Sequence, residues 1–164
     1  MAHLVNNRTK NMDLYFLRHG EADWPDWKKP DDERPLTKRG KKEMREVAAF
    51  LKRVKARPAL ILTSPLPRAS QTAEIAAEHL KVKYCEDKLL APGFRRDALE
   101  RLLKKYPEES LMLVGHEPDF TETISALTGG ALKLSKAGVV LIELDRSWQN
   151  GRLLWLFPPK LAKK

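Results

Sequence analysis

The sequence predicts an α/β fold with a mostly parallel central sheet, in which buried strands alternate with amphipathic helices. Short apolar runs recur along the 164 residues, separated by segments with apolar residues three and four positions apart. The apolar runs are continuous rather than alternating, which is typical of strands that are covered on both faces. The chain is long enough to bury a sizeable core, and its length suits a single domain.

The first predicted strand ends in a cation, an imidazole and a glycine. The apolar residues 14–17 are followed at once by Arg18, His19 and Gly20. Ligands of open α/β sheets bind at the carboxyl ends of the strands, where a glycine lets the backbone turn sharply. The neutral imidazole of His19 can act as a nucleophile, and Arg18 would hold the anion that it attacks. Alternatively, His19 only caps the strand and hydrogen-bonds to a loop.

The next elements bring an arginine to the same region. Residues 24–32 are rich in proline and aspartate and are predicted as a loop, after which Thr37 caps an amphipathic helix that Pro58 stops. Residues 59–63 form a second strand, and Arg68 stands where this strand has ended and the next helix begins. Amide groups at a helix start favour anions, and a guanidinium group adds a bidentate clamp. Taken alone, Arg68 is more consistent with a surface residue.

The remaining elements repeat this pattern once and then close the sheet. Four segments come next, namely a short edge strand at 82–85, a loop at 86–94, a helix between 95 and 106, and an apolar strand at 111–114. His116 follows that strand. Pro118 is expected at the first position of the next helix, which ends at the Gly-Gly pair at 129–130. Two last strands, 139–144 and 153–157, are predicted to form a hairpin.

The composition favours a protein that attracts anions in a reducing compartment. Lysine and arginine number 31 against 22 acidic residues, and the net charge of +9 attracts anionic partners at long range. No basic run is interleaved with aromatic residues, so nucleic acid is not the expected partner. Cys85 is the single cysteine, which excludes an internal disulfide and favours a cytoplasmic location. No apolar window approaches a membrane span, so no membrane partner is expected.

The predicted domain boundaries lie close to the two termini. Residues 1–11 are predicted as a polar N-terminal extension without the apolar core of a signal peptide, and His3 within it has no expected role. Residues 12–159 are expected to form a single domain. Residues 160–164 are a basic tail that is predicted to be solvated.

Parallel strands would bring four side chains together at one edge of the sheet. Each of three strands is followed by a site residue: the first by Arg18 and His19, the second by Arg68 and the third by His116. Two guanidinium groups and two imidazoles would therefore converge on one anion. Such a pocket suits a phosphoryl group, because guanidinium groups bind its equatorial oxygens while one imidazole attacks and the other donates a hydrogen bond. A metal site is disfavoured because two arginines would repel a cation and no carboxylate is spaced with the histidines as a ligand set.

Three motifs in this order resemble those of the histidine phosphatase superfamily, in the branch with an Arg-His-Gly signature that includes cofactor-dependent phosphoglycerate mutases. They are Leu-Arg-His-Gly-Glu at 17–21, Thr-Ser-Pro-Leu-Pro-Arg-Ala-Ser-Gln-Thr-Ala at 63–73 and Val-Gly-His-Glu-Pro at 114–118. The short chain, the Gly-His-Glu-Pro form and the Arg-Pro-Leu-Thr-Lys-Arg-Gly run at 34–40 are most similar to the small SixA-type phosphohistidine phosphatases. The resemblance implies a three-layer, phosphoglycerate mutase-like α/β/α fold, phosphorylation of His19, a phosphate pocket of Arg18, Arg68 and His116, and no metal or organic cofactor.

One departure from the family pattern bears on the substrate. Larger members carry a carboxylate after the third strand that protonates an oxygen leaving group, and residues 87–93 offer no clear equivalent. An alkoxide needs such an acid, whereas imidazole departs more easily because its conjugate acid has a pKa near ~6.5. The site therefore favours cleavage of P–N over P–O bonds. Glu21 is the first candidate for a proton donor, and Glu86 and Asp87 are further candidates. The alternative for Glu21 is a surface or structural role.

We therefore expect a phosphohistidine phosphatase that hydrolyses protein-bound or small phosphohistidine through a phospho-His19 intermediate. The connections between the motifs leave little chain for a lid, so an open site is expected that admits a histidine-phosphorylated protein such as a histidine phosphotransfer domain. Two alternatives stay open. One is a phosphatase of small phosphomonoesters such as sugar or nucleotide phosphates, and the other is a phosphate- or nucleic-acid-binding module without turnover.

Overall fold

A six-stranded sheet forms the centre of the part of the chain that the structure describes. The computed structural model describes residues 10–163, so most of the predicted extension at 1–11, His3 included, lies outside the described residues. The strands are β1 (Met12–Arg18), β2 (Leu60–Thr63), β3 (Tyr84–Glu86), β4 (Ser110–Gly115), β5 (Val139–Leu144) and β6 (Gly151–Phe157). Their order across the sheet is β3-β2-β4-β1-β5-β6.

The sheet is mostly parallel, as predicted. Strands β3, β2, β4 and β1 run parallel to one another, and β5 is antiparallel to both of its neighbours, β1 and β6. The short strand β3 lies at one edge, and β5 with β6 forms the predicted hairpin at the other. The three strands that precede the predicted site residues, β2, β4 and β1, are therefore direct neighbours.

Four α-helices connect the strands, and their starts follow the local sequence. They are α1 (Lys38–Arg53), α2 (Pro67–Leu80), α3 (Arg96–Lys105) and α4 (Asp119–Thr128), with short 3-10 turns at Asp31–Glu33, Lys88–Leu90 and Pro159–Leu161. Thr37 caps α1 as predicted, because its hydroxyl oxygen accepts a hydrogen bond from the Gly40 N–H at 2.9 Å. None of the helices within residues 10–163 has the length and apolar character that a membrane span requires.

The helices cover both faces of the sheet, which gives the expected three-layer α/β/α arrangement. Along β1, Tyr15 and Leu17 pack with the apolar stripes of α1 and α2 on one face. The alternate residues Leu14 and Phe16 pack with α3 and α4 on the other face. All four side chains are buried. A strand that is covered on both faces explains why the apolar run in this part of the sequence is continuous.

The start of α4 differs by one residue from the prediction. Pro118 does not occupy the first helical position, because α4 begins at Asp119 and Pro118 precedes it as the cap residue. The Pro118 carbonyl oxygen accepts the N–H of Glu122 at 3.0 Å, which is the first hydrogen bond of the helix. The Glu117–Pro118 peptide bond is cis.

Candidate active site

Strands β2, β4 and β1 end at the same level of the sheet. In the register of the parallel pair, Arg18 of β1 lies opposite Gly115 of β4. The N–H of His19 donates to the Gly115 carbonyl oxygen at 3.1 Å, and the N–H of Ser64 donates to the Val114 carbonyl oxygen at 3.0 Å. The first residues after the three strands therefore lie side by side at the carboxyl edge of the sheet.

The two predicted histidines are neighbours across this edge. The ring centroids of His19 and His116 are 5.3 Å apart. Nδ1 of His19 lies 2.7 Å from the carbonyl oxygen of Gly20, and Nε2 of His116 lies 2.8 Å from the hydroxyl oxygen of Ser64. One nitrogen of each ring is therefore held by the protein, and the orientation of each ring is fixed.

Both imidazoles are neutral at neutral pH. Burial lowers the pKa of His19 to about 3, with the hydrogen bond to Gly20 acting in the opposite direction and the charges of His116, Arg68 and Arg18 lowering the value further. Burial also lowers the pKa of His116 to about 4, and the charge of Arg68 is the next contribution. A neutral imidazole has a lone pair on one nitrogen, so each ring can act as a nucleophile or an acceptor there.

The two predicted arginines both lie close enough to His19 for their charges to lower its pKa. Arg18 donates from Nη1 to the carbonyl oxygen of Leu134 at 3.0 Å. Arg68, in the first turn of α2, is almost fully buried. The Nε atoms of both residues are buried and have no hydrogen-bond partner among the described residues. Buried cationic donors without partners can accommodate an anion.

Asp31 is a neighbour of Arg68 that the sequence did not single out. Nη1 of Arg68 donates to the Asp31 backbone carbonyl at 2.9 Å, and Nη2 lies 3.4 Å from a carboxylate oxygen of the same residue. The other carboxylate oxygen of Asp31 lies 2.8 Å from Nη2 of Arg34. The predicted loop at 24–32 thus reaches the candidate site. Arg34 opens the 34–40 run that carries part of the family resemblance, whereas the position of Asp31 in a loop without periodicity gave no signal.

Thr72 is a second neighbour, which the sequence singled out only as part of the 63–73 motif. Its hydroxyl donates to the Arg68 carbonyl oxygen at 2.7 Å and accepts the N–H of Gly20 at 3.0 Å. One side chain therefore connects the start of α2 to the turn that carries His19, and it fixes the distance between two of the predicted site residues.

The three carboxylates named as candidate proton donors all have partners elsewhere. Glu21 accepts the Thr37 hydroxyl at 2.9 Å and lies 3.4 Å from Nε of Arg39, at the start of α1. Glu86 accepts the hydroxyl of Ser70 at 2.9 Å. Asp87 is buried and accepts hydrogen bonds from Lys105, Tyr106 and the N–H of Leu89. Proton donation by any of the three stays a prediction.

Glu117 is a fourth carboxylate near the site, and the sequence quoted it only as part of a motif. It follows His116 directly, and one of its oxygens accepts the N–H of Thr121 at 3.2 Å. Burial raises the pKa of Glu117, while the hydrogen bond to Thr121 and the charge of Arg18 act in the opposite direction. Within residues 10–163, no three His, Cys, Asp or Glu side chains are grouped so that they could hold a metal ion.

Two arginines and two neutral histidines at the carboxyl edge of a parallel sheet define an α/β protein with a candidate anion site. Comparison with known proteins agrees with this class. Residues 14–91 match the histidine phosphatase superfamily (branch 1). An uncharacterised Picosynechococcus protein is 41% identical over 138 residues, which are 79% of this chain and 83% of that relative.

Further matches cover most of the chain. The phosphohistidine phosphatase SixA of Escherichia coli is 28% identical over 162 residues, covering 93% of this chain and 99% of SixA. A solved structure of the protein histidine phosphatase SixA complexed with tungstate superposes with a TM-score of 0.82 at 27% identity, over 93% of this chain and 100% of that one. A mycobacterial glucosyl-3-phosphoglycerate phosphatase has the same fold, with a TM-score of 0.72 at 18% identity over 88% and 98% of the two chains.

The chain belongs to the histidine phosphatase superfamily. This membership, together with the match to SixA, supports phosphatase activity. The four residues that carried the resemblance, Arg18, His19, Arg68 and His116, are the ones that surround the shared edge of the sheet.

Proposed function

We propose that this protein is a phosphohistidine phosphatase that works through a covalent phospho-His19 intermediate. The observation that carries the proposal is the 2.7 Å contact between Nδ1 of His19 and the carbonyl oxygen of Gly20. A carbonyl oxygen can only accept a hydrogen bond, so the proton of the neutral ring resides on Nδ1. Nε2 then has a free lone pair and is available to attack phosphorus.

Three cationic or polar groups support the binding of a phosphoryl group beside this nucleophile. Arg18 and Arg68 are guanidinium groups with buried N–H donors that have no protein partner among the described residues. His116 adds a ring nitrogen, because its Nδ1 is also buried and has no hydrogen-bond partner within residues 10–163. Fixed donors of this kind stabilise the charge on the equatorial oxygens of a transferring phosphoryl group.

The proposed reaction has two displacements at phosphorus. First, the lone pair of His19 Nε2 forms a bond to phosphorus while the P–N bond of the substrate breaks and its electrons return to the substrate imidazole. The distal nitrogen of that imidazole keeps its proton, so the ring leaves as a neutral molecule. Water then attacks phosphorus, the bond to His19 breaks, and inorganic phosphate is released with the proton of the water carried by the phosphate.

The charges around the site support a phosphohistidine substrate over an ester. Glu21 is paired with Arg39, and Asp31 is paired with Arg34 and Arg68, so both carboxylates already have cationic partners and we assign neither of them as an acid for a leaving alkoxide. An imidazole leaving group needs no such acid. The likeness to SixA, which is named as a phosphohistidine phosphatase, supports the same substrate class. The partner that we propose is a histidine-phosphorylated protein such as a histidine phosphotransfer domain.

Glu117 favours a second candidate, a phosphatase of small phosphomonoesters. Its carboxyl group lies next to His116 in the chain, and burial raises its pKa. A raised pKa brings a carboxyl group closer to the range in which a general acid protonates a leaving alkoxide at neutral pH. If the protein uses Glu117 in this way, Glu117→Gln will lower the turnover of an alkyl phosphate by about 10²-fold or more and leave phosphoramidate turnover unchanged.

The deciding experiment compares substrates and histidines in one assay. Phosphate release is measured from a histidine-phosphorylated carrier domain, from phosphoramidate and from an aryl phosphate. His19→Ala is expected to abolish release from all of them, whereas His79→Ala, a histidine of α2 whose Nδ1 contacts the Ile75 carbonyl, is the matched control and should keep full activity. Arg68→Ala should lose about 3 kcal/mol of transition-state stabilisation, or 10²–10³-fold in rate, by analogy with the loss of an oxyanion-hole donor.

Each other result of this assay changes the assignment. Substantial turnover by His19→Ala refutes the covalent mechanism. A clear preference for the aryl phosphate moves the substrate to small esters. No release from any substrate, together with an affinity for DNA or RNA that falls steeply with salt, supports the non-enzymatic binding module.

A further inference from the structure

A serine that lies between β2 and α2 is hydrogen-bonded to one of the two site histidines. Ser64 is fully buried, and its hydroxyl oxygen lies 2.8 Å from Nε2 of His116, a residue 52 positions later in the chain. The N–H of Ser64 donates to the Val114 carbonyl oxygen at 3.0 Å, which ties Ser64 to the strand that leads into His116. Ser64 is therefore connected to His116 twice, through its hydroxyl group to the ring and through its backbone to the strand that precedes His116.

From this contact we propose that Ser64 is a positioning residue that sets the tautomer of His116, so that Nδ1 carries the proton and donates to the bound phosphoryl group. The inference rests on the proposed phosphate pocket but not on the identity of the substrate. Because His116 is neutral at neutral pH, it has a single N–H, and the nitrogen that carries this proton decides what the ring can do.

The hydrogen bonds of the serine hydroxyl favour this tautomer. A hydroxyl group has one proton to donate and two lone pairs to accept with. The N–H of Leu66 donates to the Ser64 oxygen at 3.2 Å and uses one lone pair. Donation of the hydroxyl proton to Nε2 of His116 satisfies the buried serine. If Nε2 carried the proton instead, the serine O–H would face no acceptor among the described residues, which is costly in a buried position.

The other nitrogen of the ring is then the one left for a ligand. Nδ1 of His116 is buried and has no partner among residues 10–163. The ring lies beside that of His19, with 5.3 Å between their centroids, at the edge where Arg18 and Arg68 also end. A buried N–H donor without a partner, next to cationic groups, is completed by an anionic oxygen.

The test is a direct measurement of the tautomer in the full-length, ¹⁵N-labelled protein. Long-range ¹H–¹⁵N spectra at neutral pH distinguish the Nδ1–H and Nε2–H forms of each histidine, and His116→Gln assigns the His116 signals. We expect Nδ1–H for His116 in the wild-type protein and a shift toward Nε2–H in Ser64→Ala. The affinity for inorganic phosphate, measured by calorimetry, should fall about tenfold in the same variant, because one donor to an anion is lost.

The matched control is the neighbouring buried hydroxyl. Thr63 donates from its hydroxyl to the Ser64 carbonyl oxygen at 3.1 Å and makes no hydrogen bond to His116. Thr63→Val removes this hydroxyl at almost constant volume and should leave both the tautomer and the phosphate affinity unchanged. A thermal melt of each variant verifies that it is folded.

Three results overturn the inference. They are an Nε2–H form of His116 in the wild-type protein, an Nδ1–H form that survives Ser64→Ala, and an equal loss of phosphate affinity in Thr63→Val. None of them depends on turnover. A protein without phosphatase activity can still contain the Nδ1–H tautomer, and an active phosphatase can lack it, so failure of this inference is distinguishable from failure of the proposed function.

Discussion

Replacement of Gly40 by alanine should destabilise the protein, against the usual preference of helices. Gly40 is the third residue of α1, and in a helix interior alanine is normally more favourable than glycine by about 1 kcal/mol. A Cβ atom at Gly40, however, would lie 2.2 Å from the backbone oxygen of Glu21 and 3.0 Å from its carbonyl carbon. The first turn of α1 therefore packs directly on the backbone that follows the His19 turn.

The required displacement sets the size of the effect. An ordinary van der Waals contact of a Cβ atom begins at 3.4 Å, so helix and loop must separate by 3.4 − 2.2 = 1.2 Å. The loop cannot shift freely, because the Glu21 carbonyl oxygen also accepts the N–H of Thr37 at 3.0 Å. Overpacking of this kind costs up to about 3 kcal/mol, and the gain in helix propensity offsets about 1 kcal/mol of that. We expect a net loss of about 2 kcal/mol.

The assay is chemical unfolding of the variant and of a control pair on the same helix. Lys42 is exposed, so Lys42→Ala should be more stable than Lys42→Gly by about 1 kcal/mol, the ordinary helix preference. At Gly40 the sign should reverse, and the affinity for phosphate should fall because Glu21 lies two residues after His19. The reasoning is refuted if Gly40→Ala is as stable as the wild-type protein or more stable, with unchanged phosphate affinity.

Three further predictions follow from the same contacts. The pKa values of His19 and His116 are lowered to about 3 and about 4, below the ~6.5 of the unfolded chain. The unfolded state therefore binds more protons between pH 4 and pH 6.5, and stability falls as the pH falls through this window, by up to about 1.4 kcal/mol per pH unit for each histidine. Unfolding titrations at several pH values check this, and His19→Asn should reduce the slope. Asp31→Asn removes an anion that competes for Arg68, so calorimetry should find phosphate bound two- to fivefold more tightly, which is about 1 kcal/mol at most because the Asp31 carboxylate is exposed to solvent; weaker binding contradicts this reading. Asp87→Asn replaces one oxygen of a buried carboxylate, which accepts hydrogen bonds from Lys105 and Tyr106, by an amide nitrogen, and it should cost about 1–3 kcal/mol of stability while phosphatase turnover stays unchanged; a loss of turnover in the folded variant would place Asp87 in the reaction.

The sequence predicted the features that depend on neighbouring residues and on periodicity. The strand that ends at Arg18 and the N-cap at Thr37 could be found in this way, because burial on both faces and side-chain capping leave local patterns. Parallel pairing then followed from the order of strands and helices, and it brought His19 and His116 together. The start of α4 was wrong by one residue, since a proline is compatible with both the cap and the first helical position.

Contacts between distant loops could not be predicted in the same way. The pairing of Asp31 with Arg68 joins residues 37 positions apart, and the loop that carries Asp31 has no periodic pattern. The contact between Ser64 and His116 spans 52 positions. Both contacts depend on how the loops pack against the sheet. The spacing of residues along the chain therefore does not predict them.

The contact between His19 and Gly20 bears on both halves of the proposed reaction. With its proton held on Nδ1 by the Gly20 carbonyl oxygen, His19 attacks as a neutral ring through Nε2. In the phosphorylated intermediate the same Nδ1–H remains in place, so the ring can depart as neutral imidazole when water attacks. A low pKa makes His19 a weaker base, but it also makes the ring a better leaving group and keeps the nucleophile unprotonated. In the proposed mechanism, burial beside two arginines therefore favours the hydrolysis step. Guanidinium groups that hold the phosphoryl oxygens would offset the lower basicity of His19 in the attack step.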